Sequence, residues 1–147
     1  MSLLLGLLAA SLLQSAPPPL PSQGWVWTLY DGSSPTVVLA EEVPDTPYLR
    51  STFECVQGSG QARLTHYQAP DAPSGHASLS SGSASQEAPA TINGERLSLS
   101  LRLGTPVFQG LITTGRLNLR LEDQTTDFRF DRQSLPHLRR FAELCAG

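Results

Sequence analysis

From Trp25 onward, hydrophobic and polar residues alternate with a period of two, the spacing of half-buried strands. Trp25-Val26-Trp27-Thr28-Leu29-Tyr30 is aromatic and β-branched and stops at the turn Asp31-Gly32-Ser33-Ser34-Pro35. Residues 36–40 form a short apolar strand that ends in an acidic, proline-flanked loop over 41–47. Residues 49–56 alternate, placing Leu49, Ser51, Phe53 and Cys55 on one face. Gly58-Ser59-Gly60 then returns the chain antiparallel through 62–67. Residues 68–89 are rich in Ala, Ser, Pro and Gly, with Leu79 the only large apolar residue, and predict one weak strand around 77–80 between loops. Asn93-Gly94 predicts a hairpin, because both central positions of a type I′ turn need positive φ. After it, Leu97, Leu99, Leu101 and Leu103 face one way and Ser98, Ser100 and Arg102 the other.

Residues 104–115 break this alternation. Thr105 suits a cap, Pro106 a first helical turn and Gly115 a left-handed stop, while Phe108, Leu111 and Ile112 fall at helical spacing. A short helix near 106–114 is predicted, with Gly110 and the β-branched residues keeping a strand open as the alternative. Leu117, Leu119 and Leu121 resume alternation and turn through Asp123-Gln124-Thr125-Thr126 into Phe128 and Phe130. Ser134 is the expected cap of a C-terminal helix near 135–145, whose apolar stripe is Leu138, Phe141, Ala142 and Cys145. The fold class that follows is mainly β: an antiparallel β-sandwich or flattened barrel, with the last helix covering an edge or face.

The chain's beginning reads differently. Residues 3–13 are an uninterrupted apolar run of about 11 residues, too short for a bilayer, which needs ~20. Followed by the small residues Ser15 and Ala16, the run fits the core of a secretory signal peptide; a buried helix of the mature fold is the competing reading. Pro17, Pro18, Pro19 and Pro21 then favour an extended spacer. The expected organisation is a signal peptide over 1–16, a Pro-rich spacer over 17–24 and one β-rich domain over 25–147, whose membrane contact is only the transient one of the signal peptide. An even cysteine count in an exported chain suggests a Cys55–Cys145 disulfide, against the alternative of two buried thiols. Closing so long a loop contributes about 4–5 kcal/mol in the chain-entropy model.

Charge narrows the chemistry. All ten basic residues are Arg, against 13 acids, for a formal net charge of −3. The charge is neither strong nor concentrated enough for a nucleic-acid partner that relies on phosphate neutralisation. Without Lys, a Lys base, a Schiff base and a P-loop lysine are excluded. No GxSxG elbow occurs, since Gly58-Ser59-Gly60 and Ser81-Gly82-Ser83 are simply glycine–serine turns. Glu41, Glu42, Asp45, Asp123 and Asp127 are loop acids beside turns rather than a glycosidase pair. His66, Asp71 and His76 are the metal or acid–base candidates, two imidazoles and a carboxylate within eleven residues, but their spacing matches no closed motif. Arg129, Arg132, Arg139, Arg140 and His137 form the one basic concentration. It reads as an anionic-ligand or lipid-headgroup patch, or as a solvated face partnered by Asp127, Asp131 and Glu143. Trp25 and Trp27 point to one side of their strand, as a stacking platform for a sugar or peptide or as a core pair. Arg139, Arg140, Trp25 and Trp27 are therefore the binding candidates.

Three stretches carry a resemblance: residues 27–32 (WTLYDG), 36–40 (TVVLA) and 138–147 (LRRFAELCAG). They resemble small uncharacterised exported proteins of Gram-negative alphaproteobacteria. A looser likeness, through a helix ending in Gly, an alternating strand and a final helix, is to invasion-associated locus B type periplasmic proteins. The resemblance implies export to a Gram-negative envelope and no transferable activity. The expectation is thus a periplasmic or secreted module that binds an envelope protein or small ligand, or is structural, without a cofactor and leaning away from enzymatic function. The alternative is a small hydrolase or metal-dependent enzyme using His66, Asp71 or His76.

Overall fold

The computed structural model describes residues 19–32 and 34–147. The signal peptide expected over 1–16 lies outside the described residues, and of the expected spacer only 19–24 is described, without strand or helix. Among the described residues there are nine strands: β1 (Val26–Tyr30), β2 (Thr36–Glu42), β3 (Leu49–Val56), β4 (Gln61–His66), β5 (Gly75–Ser81), β6 (Ala84–Asn93), β7 (Arg96–Arg102), β8 (Arg116–Leu121) and β9 (Gln124–Arg129). Helix α1 (Pro106–Thr114) lies between β7 and β8, and α2 (Leu135–Cys145) ends the chain. The strands make one antiparallel sheet in the order β1-β2-β3-β4-β7-β6-β5-β8-β9, curled into a half-barrel. Its inner face carries the alternating apolar residues, among them Leu39, Phe53, Leu64, Leu99 and Leu119. The two helices fill the concavity, α1 against β5, β6 and β8, and α2 against β1 and β2.

Helix α1 starts as its sequence predicts: Thr105 accepts a bond from the Phe108 N–H, and Pro106 opens the first turn. Gly115 ends it at φ +72°, where a Cβ would come within 2.6 Å of the Phe130 carbonyl oxygen. Gly110, which kept a strand open in the sequence, instead allows close packing. A Cβ there would lie 2.8 Å from the Ser81 carbonyl oxygen. This approach explains β5 and β6, where the sequence predicts only one weak strand. With α1 so near, most of their inward positions take small residues, Ala77, Ser81, Ala88 and Ala90, and the large apolar ones are Leu79 and the half-buried Ile92. The hairpin turns at Gly82-Ser83.

Strand β6 bonds to β5 over Ala84–Ala90 but to β7 only over Thr91–Asn93. The pairs Asn93–Arg96 and Thr91–Ser98 set a register whose next rung would be residue 89 against residue 100. Pro89 has no N–H to give, so the ladder stops and the strands splay.

The α2 stripe of Leu138, Phe141 and Cys145 is buried. Ser134 stands at the N-cap position, but it does not cap through its own oxygen. The Asp131 carboxylate accepts from the N–H groups of Gln133 and Ser134 and from the Ser134 hydroxyl. At the other end, Gly58 and Gly60 of the β3–β4 turn donate their N–H groups to the Leu144 and Cys145 carbonyls. Cys55 and Cys145 form a disulfide at the same place, with Cα atoms 5.8 Å apart. Among the described residues, no helix is long and apolar enough to cross a membrane.

Candidate functional site

The sheet's two edges, β1 and β9, approach without pairing as strands. Trp27 joins them: its indole N–H donates to the Arg129 carbonyl oxygen at 2.8 Å, and its ring stacks on Phe130 with centroids 4.1 Å apart. Phe53 packs against both rings. This contact leaves the free edge of β9 partly satisfied and closes the floor of the seam. Above the floor is a cleft of about 570 Å³ between the start of β1, the β8–β9 pair and the start of α2. Trp25 and Trp27 line it, so the two tryptophans do share one site, but not as a buried pair. Trp27 is buried and Trp25 half-buried. The Trp25 indole N–H donates to the Pro21 carbonyl at 2.8 Å, and the Arg50 guanidinium sits 4.0 Å above its ring. Arg50 also bonds Glu41 at 3.0 Å; burial pushes the Glu41 carboxyl up, and Arg50 and Ser51 oppose that rise.

The cations at the cleft are Arg116 and Arg129, which sit directly opposite each other across β8 and β9. The neighbouring Phe130 N–H bonds the Gly115 carbonyl. The Arg pair therefore occupies a position between ladder bonds, where facing side chains stand closest. Both are exposed, and neither is in an ion pair among the described residues. Like charges directly opposite one another destabilise a sheet. The acids nearby are already engaged. Asp127 accepts from the Asn118 amide at 2.7 Å, Glu41 is bound to Arg50, and Asp131 is committed to the start of α2. The Ser134 and Gln133 donors keep the Asp131 carboxyl below its usual range and hence charged.

Asp131, Ser134 and His137 bring the residue types of a hydrolytic triad to one wall of the cleft. Their bonding is that of a helix start. The Ser134 hydroxyl donates to Asp131 at 2.8 Å, and no side-chain hydrogen bond joins the His137 imidazole to either residue among the described ones. The hydroxyl is thus held by the Asp131 carboxylate and not by an imidazole, which is a different arrangement from a Ser-His-Asp triad.

The other sequence candidates lie elsewhere. His66 is buried on the inner face, its Nδ1 2.9 Å from the Ser51 hydroxyl and its ring edge-on to Phe128. Burial, helped by the Arg50 charge, pushes its pKa down to about 4, so it is neutral at physiological pH. Asp71 and His76 are exposed, and among the described residues no three His, Cys, Asp or Glu side chains gather to hold a metal ion. Arg139 and Arg140 are on the solvent-facing side of α2, where Arg140 pairs with Glu143 at 3.2 Å. Arg129 belongs with them to the basic concentration visible in the sequence, whereas Arg116 lies outside it and its signal is positional. Arg116 faces out because Leu117, Leu119 and Leu121 face in, and it meets Arg129 only if the hairpin register is known.

Comparison with known proteins finds no matching family model, no matching curated protein and no matching solved structure. The fold and cleft define the class by themselves: a disulfide-linked antiparallel β half-barrel with an aromatic, arginine-lined seam.

Proposed function

We propose that the protein is an exported, non-enzymatic binding module of the cell envelope, periplasmic or secreted, which receives a small ligand or a segment of an envelope partner in the seam cleft. The observation that carries this reading is the cleft itself. It places aromatic surface beside two arginines with no ion-pair partner among the described residues, while its Ser and Asp are used to start a helix. Groups that cost folding stability and serve no internal contact belong to function more often than to structure. Export is supported by the apolar run over 3–13 and by the disulfide, since such bonds persist in oxidising compartments.

Fractionation of cells expressing the full chain tests this. The expected product is a shortened, oxidised protein in the periplasm or medium, without free thiols until reductant is added. An unshortened chain with two free thiols in the cytosol would overturn the proposal.

A further inference from the structure

The cleft's charge defines its ligand more narrowly. Resting on the binding-module reading, we propose that the seam cleft is a site for an organic oxyanion. Its carboxylate, sulfate or phosphate head is held between Arg116 and Arg129, and its planar or apolar body lies along the Trp25 wall.

Three observations converge. First, the two guanidinium groups come from facing positions of neighbouring strands, so one oxyanion can engage both without any movement of the backbone. Arg presents a rigid fork of N–H donors suited to such heads, and an anion between the two turns their mutual repulsion into attraction. Second, each carboxylate around the cleft already has its own partner: Glu41 with Arg50, Asp127 with Asn118, and Asp131 with Ser134. No ion pair of Arg116 or Arg129 therefore has to be broken among the described residues, although the ionised Asp131 carboxylate lines the same cleft. Third, at about 570 Å³ the cleft lies in the size range of small-molecule sites, far larger than a bare phosphate needs. Beside the cations stands Trp25, fixed on its indole N–H by Pro21 and on its ring by Arg50. A fixed aromatic wall binds a ligand body at little cost in side-chain order.

Titration calorimetry on the purified oxidised protein tests the assignment with phenyl phosphate, inorganic phosphate and benzyl alcohol as probes. Phenyl phosphate should bind saturably, more tightly than inorganic phosphate, and should weaken as salt is raised. Arg116→Gln and Arg129→Gln should each weaken it about tenfold or more, whereas Arg140→Gln, on the far side of α2, should change nothing. Trp25→Ala should bring phenyl phosphate down to the affinity of inorganic phosphate. The assignment is overturned if benzyl alcohol binds as tightly as phenyl phosphate or if the double arginine variant binds normally; either result leaves a ligand-binding cleft in place. Inorganic phosphate binding as tightly as phenyl phosphate overturns the role of the Trp25 wall. If none of the three probes binds saturably, the oxyanion assignment is overturned, while the binding-module reading, which also admits a segment of an envelope partner, is left to the fractionation test.

Discussion

Two gaps interrupt the sheet, and they differ in what fills them. Between β6 and β7, Pro89 ends the ladder and leaves a groove of about 310 Å³ lined by Thr91, Ser98, Leu99 and Ser100. Its one cation, Arg63, reaches across to the Ser98 hydroxyl at 3.5 Å. Between β1 and β9, the gap is bridged by an indole and flanked by two arginines that bond no carboxylate among the described residues. A missing N–H is enough to open the first gap. The second needs a large aromatic at its floor, a second one at its wall and a like-charge pair that folding alone would not favour. Concavity is common to both, and only the β1–β9 seam has chemistry left over for a ligand.

The seam is perturbed most strongly from behind. Replacing Cys55 and Cys145 together by Ser removes the tie that holds α2 in the concavity and should cost about 4–5 kcal/mol in denaturant unfolding. The loss of affinity for phenyl phosphate should accompany the loss of α2 order, because α2 supplies one wall.

Acid acts on the same interior through His66, whose ring abuts Phe128 of β9. Its folded pKa of about 4 lies below the ordinary 6.5, so between these values the unfolded chain binds the proton and the native one does not. Stability is therefore full above pH 6.5 and falls as the pH drops toward 4, by up to about 3 kcal/mol. Melting curves across this window should show the loss, and His66→Gln should flatten the profile; an equal slope in that variant would remove His66 as the cause.

A smaller change separates the floor from the core. Trp27→Phe keeps the aromatic stack but leaves the Arg129 carbonyl without the indole N–H, and should cost about 1–2 kcal/mol. Hydrogen exchange should then quicken in β9 and not in β7. Smallest of all, Arg116→Gln relieves the facing pair and should raise the stability of the unliganded protein by a few tenths of a kcal/mol, even as it weakens the anion. Gain of stability with loss of binding is the behaviour of a functional charge; loss of both would mark Arg116 as structural.

Much of this fold was legible because local rules agreed with the global one. Strict Leu alternation predicted β7 and β8, Thr105, Pro106 and Gly115 marked the ends of α1, and two cysteines in an exported-looking chain predicted their bridge. The β5–β6 hairpin was not legible. Its buried side is built mostly of Ala and Ser because α1 presses against it at Gly110, a tertiary cause without a local trace. The site was hidden by a register. A turn over residues 123–126 would put Gln133 opposite Arg116, whereas the chain turns two residues earlier, at Glu122-Asp123, with Glu122 at φ +54°. Glycine or asparagine usually marks such a turn, and Glu122 gives no such sign. That small shift is what sets Arg129 against Arg116.

In the proposed binding mode the anion is received by Arg116 and Arg129 of the β1–β9 seam and not by arginines elsewhere on the surface. Nuclear magnetic resonance of the arginine Nε–H groups during titration with phenyl phosphate tests it directly, with Arg63 at the other gap as internal reference. Arg116 and Arg129 should show saturable shifts with one common midpoint, while Arg63 stays still. Shifts shared by all the arginines and rising without saturation would contradict it.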